Sequence, residues 1–317
     1  MNELKLIAPR DIYGKTLVEL GRENPDIVVL DADLSVSTKT SAFRKEFPAR
    51  FFDLGIAEQD MISTAAGLAS CGKIAFASTF AVFGSGRAWD QVRMSVAYTR
   101  LNVKIVVTHG GITTGEDGAS HQANEDIAIM RVLPNMTVIV PADAVETAKA
   151  VRAAAKFYGP VYIRLCRPKI PVVYQDENYD FRIGKGVLMR KGNDATIFAC
   201  GIMVCKALVA AEELSKKGIE CRVVNIHTIK PIDKELIVNC AKETGAVVTA
   251  EEHSILGGLG GAVAEVLVEN CQTPMARVGI KDMFGESGKP DELLVKYGLT
   301  SDNIIKAVKA VLKRKKQ

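Results

Sequence analysis

Two short stretches of this chain carry most of its chemistry. In the first, Leu54-Gly55-Ile56-Ala57-Glu58-Gln59-Asp60-Met61 runs into a small-apolar series, Ile62-Ser63-Thr64-Ala65-Ala66-Gly67-Leu68-Ala69. A carboxylate at the mouth of such a run is poorly solvated, and a poorly solvated acid can share a proton with a ring nitrogen of a bound heterocycle. The second is Thr108-His109-Gly110-Gly111-Ile112-Thr113-Thr114-Gly115-Glu116-Asp117-Gly118-Ala119-Ser120-His121-Gln122. It holds two of the chain's four histidines, two acids and four glycines. Glycine lets backbone approach a ligand closely, so a loop of this composition is a candidate site. Plainer roles compete. Glu58 at a helix start also suits the macrodipole, a contribution of roughly 0.3–1 kcal/mol. His109 could be a core histidine bonded to backbone, and Asp117-Gly118 a simple turn.

The elements around these stretches alternate. Short β-branched runs at 27–30, 74–77, 103–108, 137–140 and 161–165 predict strands, with helical patterns at 58–69, 87–98 and 144–157 between them. Such alternation predicts parallel βαβ units with helices covering a sheet. The 108–122 loop leaves a strand's carboxyl end, the edge at which open α/β sheets bind ligands. Two prolines in Arg167-Pro168-Lys169-Ile170-Pro171 and the polar run Gln175-Asp176-Glu177-Asn178-Tyr179-Asp180 mark a linker. The alternation then restarts, with strands expected at 195–200, 220–224, 246–250 and 276–279 and helices at 203–217, 233–242, 261–270 and 302–313. The expected fold class is α/β: two three-layer α/β/α domains over residues 1–170 and 185–317, joined by a linker at 171–184, the first with a mostly parallel sheet.

Bulk properties narrow the function. A net charge of +4 over 317 residues is too small to suggest nucleic acid but leaves anionic substrates open. Seven scattered cysteines with no C-x-x-C pair indicate neither a disulfide framework nor a zinc site. No signal-peptide layout or bilayer-length apolar stretch is evident, so a cytoplasmic protein without a membrane is expected. Gly257-Gly258-Leu259-Gly260-Gly261 lacks G-x-G-x-x-G spacing and reads as a packing turn before a helix, and 285–290 fails the P-loop pattern. Lys313-Arg314-Lys315-Lys316 reads as a solvated helix end whose cations suit the dipole. His227 and His253 lie in the second half and neither is assigned a role.

Taken together, the residues resemble the C-terminal half of transketolase over nearly the whole chain. The resemblance is carried by Gly55-Ile56-Ala57-Glu58, Ser78-Thr79-Phe80-Ala81-Val82-Phe83, Thr108-His109 and Gly115-Glu116-Asp117-Gly118-Ala119-Ser120-His121-Gln122, followed by Leu133-Pro134-Asn135-Met136 and Pro141-Ala142-Asp143. It implies a pyrimidine-binding domain followed by the family's C-terminal domain. Glu58 is then the carboxylate that hydrogen-bonds the aminopyrimidine of thiamine diphosphate, and Phe80 and Phe83 pack on that ring, although core packing at i, i+3 explains the pair equally. His121 and Asp117 align with residues that recognise sugar hydroxyls, and His121 with one that assists proton transfer. His109, Arg10, Ser37 and Arg167 align with ligands of the substrate phosphate, a role suited to the fixed fork of arginine. Gly110 stands where transketolases often carry aspartate.

The resemblance also implies a missing part. In the family a Gly-Asp-Gly motif and a later asparagine bind magnesium or calcium and the diphosphate. This chain has no Gly-Asp-Gly, so no metal ligand is expected in it. The implied enzyme is a split transketolase that moves a two-carbon ketol unit between sugar phosphates. It would form an α2β2 heterotetramer, this chain pairing with itself and with an N-terminal subunit carrying that motif. A subunit similar to deoxyxylulose phosphate synthase or to the β subunit of 2-oxo-acid dehydrogenases, and a non-catalytic regulatory paralogue, remain alternatives.

Overall fold

The computed structural model describes residues 5–175 and 179–315. The expected linker residues Asp176, Glu177 and Asn178, and Lys316 of the terminal basic run, lie outside the described residues. Two sheets organise the chain. The first has seven strands in the order Thr228–Lys230, Thr137–Ile139, Val161–Arg164, Val103–Val107, Ile74–Ser78, Ile27–Asp31 and Phe51–Asp53. All neighbours are parallel except the border strand Thr228–Lys230, which runs antiparallel to Thr137–Ile139. In register, Val29 faces Phe76, Phe76 faces Lys104 and Lys104 faces Val161. The central strands are buried on both faces, which is why they read as unbroken β-branched runs and not as alternation.

Side chains of alternate parity enter different cores. Val28, Leu30, Ala75, Ala77, Val103 and Ile105 pack with Met61, Ile62 and Ala65 of the helix Glu58–Ser70. Ile27, Val29, Phe76, Val106 and Ile163 pack on the other face with Tyr13, Leu17 and Leu20 of the helix Pro9–Glu23 and with Val151 and Ala154 of the helix Ala144–Lys156. The second sheet has the order Met275–Ile280, Val247–Ser254, Ala195–Ala199, Cys221–Asn225 and Val187–Arg190, parallel except for the last strand. The first core continues into this half, where Phe198, Val224, Ile237, Leu259 and Val263 join it, so the two sheets share one apolar layer. Both sheets lie between helices, as the α/β reading expects.

Some local features depart from expectation. The segment expected as one helix over 87–98 begins earlier, at Ala81. It is built from the π-helical turns Phe83–Arg87 and Val92–Ala97 around the short α-turn Trp89–Gln91. π-turns inside helices are frequent at functional sites. The terminal basic run is not simply solvated. Arg314 donates to the Met275 carbonyl at 2.7 Å, and Lys315 donates to the carbonyl of Thr244, in the last turn of the helix Lys234–Thr244, at 2.7 Å. Tyr174 and Tyr179 are pinned: they stack at 4.1 Å, and both hydroxyls donate to the buried Glu146 carboxylate.

Candidate active site

Five parallel strands of the first sheet end on one edge, and each delivers a candidate residue there. After Ile27–Asp31 comes the short helix Ser35–Thr38 with Ser37, and after Phe51–Asp53 comes Glu58. After Ile74–Ser78 comes Phe80, after Val103–Val107 comes His109, and just past Val161–Arg164 comes Arg167. A site at strand carboxyl ends draws on several loops in this way, which explains how residues from 37 to 167 converge.

Glu58 opens its helix with no side-chain cap before it and is 2% exposed. Both its oxygens lie 3.4 Å from Nη1 of Arg87, itself half exposed. The Arg87 guanidinium sits 4.6 Å over the Phe83 ring. Phe83 is stacked on Phe80 at 5.9 Å with 14° between planes, and Phe80 is stacked on the His109 ring at 3.7 Å. His121 meets Phe83 edge-on at 5.3 Å and Phe80 at 6.1 Å. The result is a continuous column: carboxylate, guanidinium, two flat rings and two imidazoles. The i, i+3 spacing of the phenylalanines therefore serves a surface-facing stack, with Phe80 buried and Phe83 half-buried.

His109 is held unusually. Its φ is +61°, a region a histidine occupies only when its surroundings impose it. The Thr114 hydroxyl donates to its carbonyl at 2.7 Å, and Nδ1 lies 2.8 Å from the Thr108 hydroxyl. Burial lowers its pKa to about 3, helped by the positive charges of Arg10 and Arg167 and by His121, so the ring is neutral at physiological pH. Arg10, on the first turn of its helix, donates from Nη1 to the Ser37 carbonyl at 3.1 Å, and its buried Nε has no partner. Burial lowers its pKa, and nearby Arg167 adds to that. Arg167 donates from Nη1 to the Thr114 carbonyl at 2.8 Å and to Glu116 at 3.0 Å. Ser37 is presented by a short helix strapped onto Asp31, whose buried carboxylate accepts from Thr38, Thr40 and the Leu34 amide, and whose pKa burial raises to about 6. Two arginines near a neutral imidazole, one with an orphaned N–H, form a positively charged cluster with a donor to spare.

The expected residues thus gather with one exception. Asp117 closes the 3₁₀ segment Ile112–Asp117 with an exposed side chain, and it is Glu116 that meets Arg167. Arg87 was not anticipated. Only its i, i+4 spacing from Phe83 signals it. Of the glycine run expected as a turn, only Gly257 and Gly258 precede the helix Leu259–Asn270, which begins two residues earlier than expected and includes Gly260 and Gly261. Glu251 accepts from the Leu259 and Gly260 amides at 2.7 and 2.8 Å, and a β-carbon on Gly258 would lie 2.0 Å from that carboxylate. Among the described residues, no helix is long and apolar enough to cross a membrane, and no cluster of three or more His, Cys, Asp or Glu could hold a metal ion.

The residues present fit thiamine diphosphate's pyrimidine end: a buried carboxylate at the base of an aromatic stack, with a positively charged cluster beyond it. Residues 5–172 match the transketolase pyrimidine binding domain, and residues 184–304 match the transketolase C-terminal domain. A protein of Methanocaldococcus jannaschii provisionally named a transketolase C-terminal section is 54% identical over 95% of each chain. The 6-deoxy-6-sulfo-D-fructose transketolase subunit of a Clostridium species is 48% identical over 96% of this chain and 95% of its own. Transketolase of Rattus norvegicus is 42% identical over 96% of this chain but only 49% of its own length. A solved structure described as a split gene transketolase, an inactive β4 tetramer, has a TM-score of 0.92 at 57% identity, over 98% of this chain and 99% of that one. With both matched domains and the strand-end column in place, the chain belongs to the transketolase family, as a split-transketolase-like subunit of a thiamine-dependent family.

Proposed function

We propose that this chain is the C-terminal subunit of a split transketolase, and that it transfers a two-carbon ketol unit from a ketose phosphate to an aldose phosphate once an N-terminal subunit joins it. The observation that carries the reading is the column from Glu58 through Phe83 and Phe80 to His109, ending at Arg10 and Arg167. Thiamine diphosphate, when bound, supplies a nucleophilic carbon that accepts the ketol unit and yields it to an aldehyde. Glu58 holds a proton at the pyrimidine ring nitrogen, its burial keeping water from competing for it. Phe83 and Phe80 offer flat apolar faces to that ring. His121, beside both, holds or moves a proton at a sugar hydroxyl, and the exposed Asp117 would join it as a hydroxyl ligand only by swinging in from the loop. Arg10, Arg167, His109 and Ser37 bind the anionic end of the sugar.

The metal, magnesium or calcium, and the diphosphate cradle belong to the proposed partner, which carries Gly-Asp-Gly. Support for a covering partner comes from the surface beside the column: Ile56 is 79% exposed next to Glu58, and Val36 is 74% exposed next to Ser37. The anion need not be phosphate, since the Clostridium relative's name specifies a sulfo-sugar, and a sulfonate presents the same three oxygens to two arginines. The test mixes this chain with an N-terminal subunit, thiamine diphosphate and magnesium, and offers xylulose 5-phosphate with ribose 5-phosphate. Sedoheptulose 7-phosphate is the expected product. A folded, assembled mixture that turns over neither the phosphorylated nor the sulfonated ketose would defeat the proposal.

A further inference from the structure

Glu252 sits on the strand Val247–Ser254 of the second sheet and is 3% exposed. Neighbouring residues of a strand project to opposite sides. Glu251 reaches back to the helix start at Leu259 and Gly260, whereas Glu252 crosses to the other half of the molecule. There its Oε1 accepts the backbone N–H of Thr113 at 2.8 Å. The fit is close. A β-carbon on Gly111 would lie 2.3 Å from the Glu252 carboxyl, and Gly111 already has a φ of +83°. Arg164 supports the arrangement from beneath, donating to the carbonyls of Glu252 at 2.9 Å and Ala123 at 3.0 Å.

Thr113 is one residue from the group that fixes both anion ligands. The Thr114 hydroxyl holds the His109 carbonyl, and the Thr114 carbonyl accepts from Arg167. A second clamp comes from the same half. Gln122 donates to the carbonyls of Ile112 at 3.1 Å and Glu286 at 2.9 Å, and a β-carbon on Gly285 would lie 1.9 Å from Gln122 Oε1. The nearby Arg164 guanidinium offsets part of the cost of burying this carboxylate, and the hydrogen bond from Thr113 spends the rest on fixing the position of one amide.

We propose that Glu252 is a positioning residue for the anion-binding end of the site, acting through Thr113 and Thr114 on His109 and Arg167. On this view the C-terminal half sets how well the enzyme grips the charged terminus of its sugar. The inference rests on the proposed ketol transfer, so its test has one arm that needs no turnover.

In that arm, hydrogen exchange is followed in the intact chain. Glu252→Ala should speed exchange in peptides covering 111–122 and leave the 58–70 helix unchanged, and Glu252→Gln, which keeps an acceptor, should restore most of the protection. In the second arm, the assembled complex turns over a phosphorylated donor and one without a phosphate, such as hydroxypyruvate. The ratio of kcat/KM between them should fall about tenfold in Glu252→Ala through a raised KM, the scale of one charge-assisted hydrogen bond. Should Glu252→Ala not fold, Gly285→Ala presses on Gln122 from the same half and should move both readouts in the same direction. Unchanged exchange at 111–122 in the folded variant overturns the proposal. So does a donor ratio within about twofold of the parent in an assembled complex. If the parent complex shows no ketol transfer, the function proposed above fails, while the exchange arm still decides whether Glu252 holds the loop.

Discussion

Replacing Glu58 by glutamine separates two reasons for a buried acid at a helix start. If Glu58 served only the helix, its charge would act on the macrodipole for about 0.3–1 kcal/mol. Its pairing with Arg87 adds little, because Arg87 is 52% exposed and both contacts are 3.4 Å long, which puts the pair at about 0–1 kcal/mol. Against these losses, glutamine relieves the cost of burying a charge that is 2% exposed. The terms nearly cancel, so stability should change by less than about 1 kcal/mol and Tm by less than about 3 °C. The effect on turnover has another scale. A positioned acid that handles a proton in the reaction contributes about 10²–10⁴-fold, or roughly 3–5 kcal/mol of barrier. Glu58→Gln should therefore assemble with the partner, melt like the parent and lose at least about 100-fold in kcat. The assay is formation of sedoheptulose 7-phosphate by the reconstituted complex, with melting of the same samples followed by circular dichroism. Activity within about threefold of the parent would refute the coenzyme role. Loss of activity together with a large fall in Tm would return Glu58 to the helix.

Asp126 is fully buried and accepts from Arg164 Nε at 2.8 and 3.1 Å and from the Tyr162 hydroxyl at 2.8 Å, so Asp126→Ala strands a buried guanidinium. Urea unfolding should show a loss of about 3–5 kcal/mol, and a loss under about 1 kcal/mol would show that Arg164 finds another partner. Lys104 is also fully buried, its ammonium held by the carbonyls of Phe157 and Gly159 at 2.6 Å each, and burial lowers its pKa from 10.5 to about 7. Between those values the unfolded chain binds a proton that the folded chain does not, so this residue makes stability rise with pH across the window, by at most about 1.4 kcal/mol per pH unit. Lys104→Met should flatten that part of the curve relative to the parent, and identical slopes from pH 7 to 10 would rule the residue out as its source.

How much of this could be read from sequence depended on distance along the chain. Phe80, His109 and Arg167 each closely follow a β-branched run expected as a strand, and a parallel sheet brings such positions to one edge, whereas Glu58 follows Phe51–Asp53, a strand without β-branched residues, and was legible only from the small-apolar run after it and from the family resemblance. The helix Pro9–Glu23 went unread although Tyr13, Leu17 and Leu20 fall at helical spacing, because lysines, arginines and acids between them dilute the pattern. The strand Thr228–Lys230 was missed because three residues ahead of a proline carry almost no periodic signal. Glu252 and Asp126 look like ordinary surface acids in the sequence. Only the fold shows that one sits 139 positions from its amide partner and the other 38 from its guanidinium.

The border strand Thr228–Lys230 has a consequence for how the chain comes off the ribosome. The strand beside it, Thr137–Ile139, is wholly buried and carries the apolar Val138 and Ile139, and among the described residues it pairs on that side with residues made much later. Until they emerge, the nascent first half carries a naked β edge of the kind that recruits stray chains. Synthesis of the second half thus closes the first, and a polypeptide cut between them would leave a sticky fragment, not a working one.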